Sequence, residues 1–136
     1  MGLLGYHFLT HMKLLINSRD ELRIIELDDT VYLKASNNYT DFHFTDGQIR
    51  SYVSCLSVFE QQISERYNGN SPFVRTGRSY LVNISCVAAI NLQRQTVRFT
   101  TDEVLVLPKK HLKLMKEYIL THAGLLSNRT CSDNNS

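Results

Sequence analysis

The sequence predicts a mainly β fold with two helices, a β-rich α+β class. Three observations carry this reading. The apolar runs are short and end at frequent turn signals. The stretch from Tyr39 to Asp46 alternates with a period of two. Helical spacing occurs in only two places, over Leu56–Tyr67 and after Pro108.

Lys13–Asn17 and Leu22–Leu27 are apolar runs split by Ser-Arg-Asp, which predicts a hairpin. Asp28-Asp29 turns into a strand over Val31–Ala35. In the alternating stretch, Thr40, Phe42, Phe44 and Asp46 share one face, and Phe42 and Phe44 point it at the core. Asp46-Gly47 is a strong hairpin turn, with Gln48–Tyr52 as the return strand. Leu56, Phe59, Ile63 and Tyr67 then fall on one helix face. Ser54 or Ser57 can cap that helix, with Glu60 completing a capping box from Ser57, and Asn68-Gly69-Asn70 ends it. Tyr80–Asn83, Cys86–Leu92, Thr96–Thr100 and Val104–Leu107 read as further strands, with a turn at Gln93-Arg94-Gln95 and another at Thr101-Asp102-Glu103. Pro108 suits the first position of a helix, because its missing N–H costs nothing there. Leu112, Met115, Ile119 and Leu120 give that helix its apolar face.

These signals place one domain over residues 13–120. Residues 1–12 are read as an N-terminal extension or linker, and 121–136 as a polar tail without fixed structure. At 136 residues with 43% hydrophobic and 21% charged, the chain can bury a core without disulfides or metal. Its three cysteines, Cys55, Cys86 and Cys131, have no CxxC spacing, so neither a zinc site nor a disulfide framework is expected. Cys55 and Cys86 lie among apolar residues and are expected as buried thiols. That usage fits a reducing cytoplasm. No apolar run reaches the roughly 18 residues of a membrane span.

Net charge is only +2, but it is unevenly spread. Asp20, Glu21, Glu26, Asp28, Asp29, Asp41 and Asp46 crowd the first half. Arg75, Arg78, Arg94, Arg98, Lys109, Lys110, Lys113 and Lys116 crowd the second, opposed there only by Asp102 and Glu103. Such asymmetry makes a positive face on a nearly neutral protein, which suits a polyanion.

The segment from Ser71 to Asn83, SPFVRTGRSYLVN, resembles the signature of the LytTR DNA-binding family, roughly F-x-R-x-H-R-S-Y-L-V-N. The flanking order is similar too. It runs from an apolar strand into an Asn/Tyr turn, a D-G hairpin, a helix beginning with Leu, the signature, then L-P and a basic helix. The resemblance covers about Lys13 to Leu120. Three positions depart from the pattern: Lys34 stands for an acidic residue, Gly77 for a histidine and Lys109 for an arginine. The family usually carries a receiver or membrane sensor domain ahead of this one. The chain has no room for it and is read as a free-standing regulator or a fragment.

The resemblance implies elongated antiparallel sheets that present loops to successive major grooves of bent double-stranded DNA. It implies base contacts from Asn38 in the Asn37–Thr40 turn, from Arg78 in the signature and from Lys109 at the head of the last helix. It implies backbone contacts from Thr40, Ser79, Lys110 and Lys113. The expected partner is double-stranded DNA carrying direct repeats, with a homodimer on the DNA, no cofactor and no membrane. The chemistry is apt. Arg78 offers a bidentate fork to guanine, and Asn37 or Asn38 an amide to adenine. The free N–H groups at the start of the Lys109 helix suit a phosphate.

Blander readings stand beside these. Arg78 can pair with a carboxylate from the acidic half, Asn37-Asn38 can be an ordinary turn pair, and the lysines can be a solvated helix face. Phe73, Tyr80, Val82 and Ile84 are core in either case. An enzyme would have to use Cys55 or Cys86 with His43 or His111, and no nucleophile motif or Gly-rich phosphate loop marks them. The RNP aromatics and GXXG loop of common RNA-binding modules are absent. A protein-protein interaction module on the same fold is the main alternative, and Lys34 and Gly77 keep it open.

Overall fold

The computed structural model describes residues 12–122, and the expected N-terminal extension and polar tail lie outside them apart from Met12, Thr121 and His122. The chain divides into two compact units, one ending at Ser85 and one beginning at Cys86. The sheets in both are antiparallel, and among the described residues each unit carries one α-helix.

The first unit opens with the expected hairpin, β1 (Lys13–Asn17) and β2 (Leu22–Glu26). Leu14 and Ile25 point into the core, while Leu15 and Ile24 face outward. A five-stranded sheet follows, formed by β3 (Thr30–Ser36), β4 (Tyr39–Phe44), β5 (Ile49–Val53), β6 (Phe73–Thr76) and β7 (Tyr80–Asn83) in the order β5-β4-β3-β7-β6. The helix α1 (Leu56–Arg66) buries Leu56, Phe59 and Ile63. Phe42 is fully buried and meets Phe59 edge to face at 5.0 Å and Tyr52 at 5.4 Å. Such T-shaped contacts add to the burial of the rings themselves. Arg66 of α1 donates from Nε to the Lys13 carbonyl at 2.7 Å, tying the helix to β1.

Asp46-Gly47 makes its turn as expected. Gly47 sits at φ +88°, and the Asp46 carboxylate accepts from the Gln48 amide at 2.9 Å. The end of α1 has a Schellman geometry. Asn68 adopts φ +54°, its amide reaches the Glu65 carbonyl, and the Gly69 amide reaches Ser64 O at 2.8 Å.

No sequence signal marks β6 as a strand, and several expectations are corrected by the structure. The N-cap of α1 is Cys55, with no side-chain cap bond from Ser54 or Ser57. Cys55 is consequently exposed, whereas Cys86 is buried as expected. Of the four residues expected in the core in and after the signature, Phe73 and Val82 are buried, but Tyr80 and Ile84 are only half-buried.

The signature's last residue is structural. Asn83 is buried and donates from Nδ2 to Thr30 O at 2.9 Å, while its Oδ1 accepts from the Ser85 amide at 3.0 Å.

The second unit holds β8 (Val87–Asn91), β9 (Thr96–Phe99) and β10 (Val104–Val106) in one sheet, followed by α2 (Lys109–His122). Val97, Phe99, Leu107, Leu112 and Met115 are buried. Pro108 stands at the helix start as expected, directly before Lys109, and its carbonyl accepts from the amides of His111 (3.0 Å) and Leu112 (3.1 Å).

Tyr67, which follows α1 and packs on Phe73, has its phenol pushed up from 10 to about 12, first by burial and then by the Asp28 carboxylate. The unfolded chain therefore loses this proton near pH 10 while the folded chain holds it to about pH 12. Stability conferred by the neutral phenol is complete below pH 10 and falls away between the two values. Urea unfolding across that window should show the loss, and Tyr67→Phe should remove the part due to this group. An unchanged pH slope in the variant would exclude Tyr67 as its source.

Candidate nucleic-acid interface

Two turns meet at one end of the five-stranded sheet. β3 and β4 pair up to Ser36 and Tyr39, so the chain reverses through Asn37 and Asn38 alone. Asn37 takes φ +57°, a conformation that asparagine tolerates better than most residues. Both asparagines are exposed. The β6–β7 hairpin closes at Thr76 and Tyr80 and reverses through Gly77, Arg78 and Ser79. Gly77 supplies φ +71° there, a value at which a Cβ is strained.

Register puts the two turns side by side. β7 runs antiparallel to β3 with Lys34 opposite Tyr80, so the start of β7 lies beside the end of β3. The Ala35 amide donates to Ser79 O at 2.8 Å, closing the seam one residue further. At about 4.8 Å between strands and 3.3 Å per residue, the two tips lie on the order of 10 Å apart. That distance covers roughly three base steps at 3.4 Å each.

Arg78 and Ser79 are exposed. Among the described residues the Arg78 side chain has no ion pair or hydrogen bond. The carboxylate pairing weighed for Arg78 falls instead to Arg75, which meets Glu60 of α1 at 2.5 Å. The Arg75 guanidinium also donates to the carbonyls of Gly77 and Arg78.

Thr40 does not belong to this surface. It is fully buried, and its hydroxyl donates to Ser54 O at 2.9 Å, so it has no group to offer a phosphate.

In the second unit, Lys109, Lys110, Lys113 and Lys116 are all exposed on α2. Lys109, Lys113 and Lys116 recur at helical spacing, on positions other than the buried Leu112 and Met115. Because Pro108 O is the first acceptor, the amides of Lys109 and Lys110 remain without an intrahelical partner. The positive end of the helix dipole adds to the lysine charge at that point.

Two further groups lie at the same end of the first unit. In the sequence Arg75 reads only as positive charge. Cys55, two residues beyond the pair Tyr39–Val53, is open to solvent. Its thiol is held below the ordinary value, first by the Ser57 hydroxyl at 3.3 Å and then by the Val58 amide.

The family model described as the LytTr DNA-binding domain matches residues 20–120. The fold is similar to a solved LytTr DNA-binding domain of a methyl-accepting/DNA response regulator from Bacillus cereus. The TM-score is 0.59 at 16% identity, over 79% of this chain and 96% of that one. Comparison with curated proteins gave no match.

Exposure and thiol acidity together set the order of cysteine reactivity. Brief iodoacetamide treatment of the native protein at neutral pH should alkylate Cys55 well before Cys86, with Cys86 reacting only on denaturation. Peptide mass spectrometry reads the ratio, and equal native rates would contradict the placement of these two residues.

Proposed function

This chain belongs to the LytTr DNA-binding domain family, and on that premise we propose that it reads double-stranded DNA sequence-specifically as part of a transcriptional regulator. Base contacts come from Asn38 and Arg78 in the first unit and from Lys109 in the second. Ser79, Lys110 and Lys113 hold the phosphate backbone. Thr40 has no part in it.

The observation that carries this reading is the free Arg78 side chain on a tight loop beside the Asn37–Asn38 turn. A guanidinium with no internal partner keeps its fork for a planar acceptor pair, and guanine O6 and N7 offer one in the major groove. An adjacent carboxamide complements it, since asparagine pairs with adenine at N6 and N7. The cations of α2 supply attraction that does not depend on sequence. Direct repeats would seat two such domains, with a homodimer forming on the DNA, and the cytoplasm is the compartment that gives access to it. Among the described residues no helix is long and apolar enough to cross a membrane.

Selection of random duplexes against the purified protein at two salt concentrations tests binding and specificity together. An enriched motif whose affinity falls steeply with salt is expected. A protein-protein interaction module on this fold would enrich nothing. Arg78→Ala should cost about 1–3 kcal/mol against the selected site and relax preference at one base pair. An equal loss on all sequences would remove Arg78 from the base readers. Lys113→Ala should weaken binding to every duplex alike and flatten the salt slope by about one. An unchanged slope would exclude a phosphate contact there.

A further inference from the structure

We infer that Arg75 is a positioning residue for DNA reading: it holds the Gly77–Ser79 loop in the one shape that aims Arg78, and Glu60 holds Arg75. The inference rests on the proposed role of Arg78 and names what fixes its geometry.

Arg75 lies on β6, just before the loop. Its Nε donates to Gly77 O at 3.0 Å and its Nη2 to Arg78 O at 3.1 Å, so one planar group binds two successive loop carbonyls. Its Nη1 donates to Glu60 Oε1 at 2.5 Å, on α1 fifteen residues earlier. The third loop carbonyl, Ser79 O, is taken by the Ala35 amide. Every carbonyl of this three-residue loop therefore has a fixed donor, while among the described residues the Arg78 guanidinium donates to no acceptor.

A loop this short with a glycine at φ +71° would otherwise sample several shapes. An arginine is suited to the task because its fork is rigid and its charge permanent, whereas a lysine ammonium is a point donor on a flexible stem. Arg75 and Glu60 are 31% and 39% exposed, so the pair is partly shielded from solvent and better fixed than a fully exposed one. Recognition requires its groups to be held to within about 0.5 Å, and such precision depends on the residues behind them.

The test compares Arg75→Lys, Arg75→Ala and Glu60→Ala with Arg78→Ala, each checked for folding by circular dichroism. Affinity is measured on the selected duplex, on one mismatched at the Arg78 base pair, and on one mismatched elsewhere. Discrimination at the Arg78 pair should fall about fivefold or more in Arg75→Lys, which keeps the charge, while the salt slope stays unchanged. Discrimination at the distant pair should persist. Arg75→Ala combined with Arg78→Ala should discriminate no worse at that pair than Arg78→Ala alone, because both act through one contact.

Full discrimination in Arg75→Lys, or an equal loss on every duplex, would overturn the inference and leave Arg75 as a plain cation. If Arg78→Ala itself shows no base-specific loss, the reading of Arg78 fails, and the clamp is then judged on the free protein. Backbone 15N relaxation should show Gly77–Ser79 ordered in the parent and loosened, with order parameters falling below about 0.6, in Arg75→Lys and Glu60→Ala. The same order in all three would overturn the clamp independently of DNA.

Discussion

β3 is hydrogen-bonded on both sides, to β4 and to β7, and both pairings are antiparallel. That geometry brings the Asn37–Asn38 turn and the Arg78 loop to the same end of the sheet, although forty residues of sequence separate them. A shift of one residue in either register would turn Leu33 and Leu81 away from the core, where each is at most 1% exposed. The core thus fixes the register, and the register fixes which polar groups stand together. Burial of Phe42, Leu33, Val82 and Phe59 is therefore a condition of the placement of the two tips as well as of stability.

Charge is arranged on the same frame. The Asp46-Gly47 turn closes β4 to β5 at the end opposite the two tips, and Asp28 and Asp29 lie just before β3 at that end too. The tip end carries the unpaired Arg78. Under the proposed function, the free cation at the tips is the part of the first unit that attracts a duplex. This explains how a chain of net charge +2 can suit a polyanion. Under the same reading, the lysines of α2 add a screened attraction of their own, without sequence preference.

Much of this was legible in the sequence, and the failures have physical causes. Alternation over Tyr39–Phe44 gave β4 and its buried face correctly, because a half-buried strand enforces a period of two. The same alternation already placed Thr40 beside Phe42 on the inward face. The family resemblance, which put Thr40 on DNA, overrode a correct packing signal. β6 escaped notice because Phe-Val-Arg-Thr buries its two ends and leaves its middle partly exposed, so no period appears. Arg75 was opaque for a related reason. Its partners are two loop carbonyls and a glutamate from another element, and no spacing rule in one dimension connects them. Cys55 looked buried among Val53, Leu56 and Val58, yet it occupies the turn before a helix whose first inward residue is Leu56.

Amide chemical shifts followed during titration with the selected duplex test the central claim most directly. The account expects the largest changes at Asn37, Asn38, Gly77, Arg78 and Ser79, a second group at Lys109 and Lys110, and little change at Asp46 and Gly47. Changes centred on the Asp46-Gly47 turn, with the two tips unmoved, would contradict it.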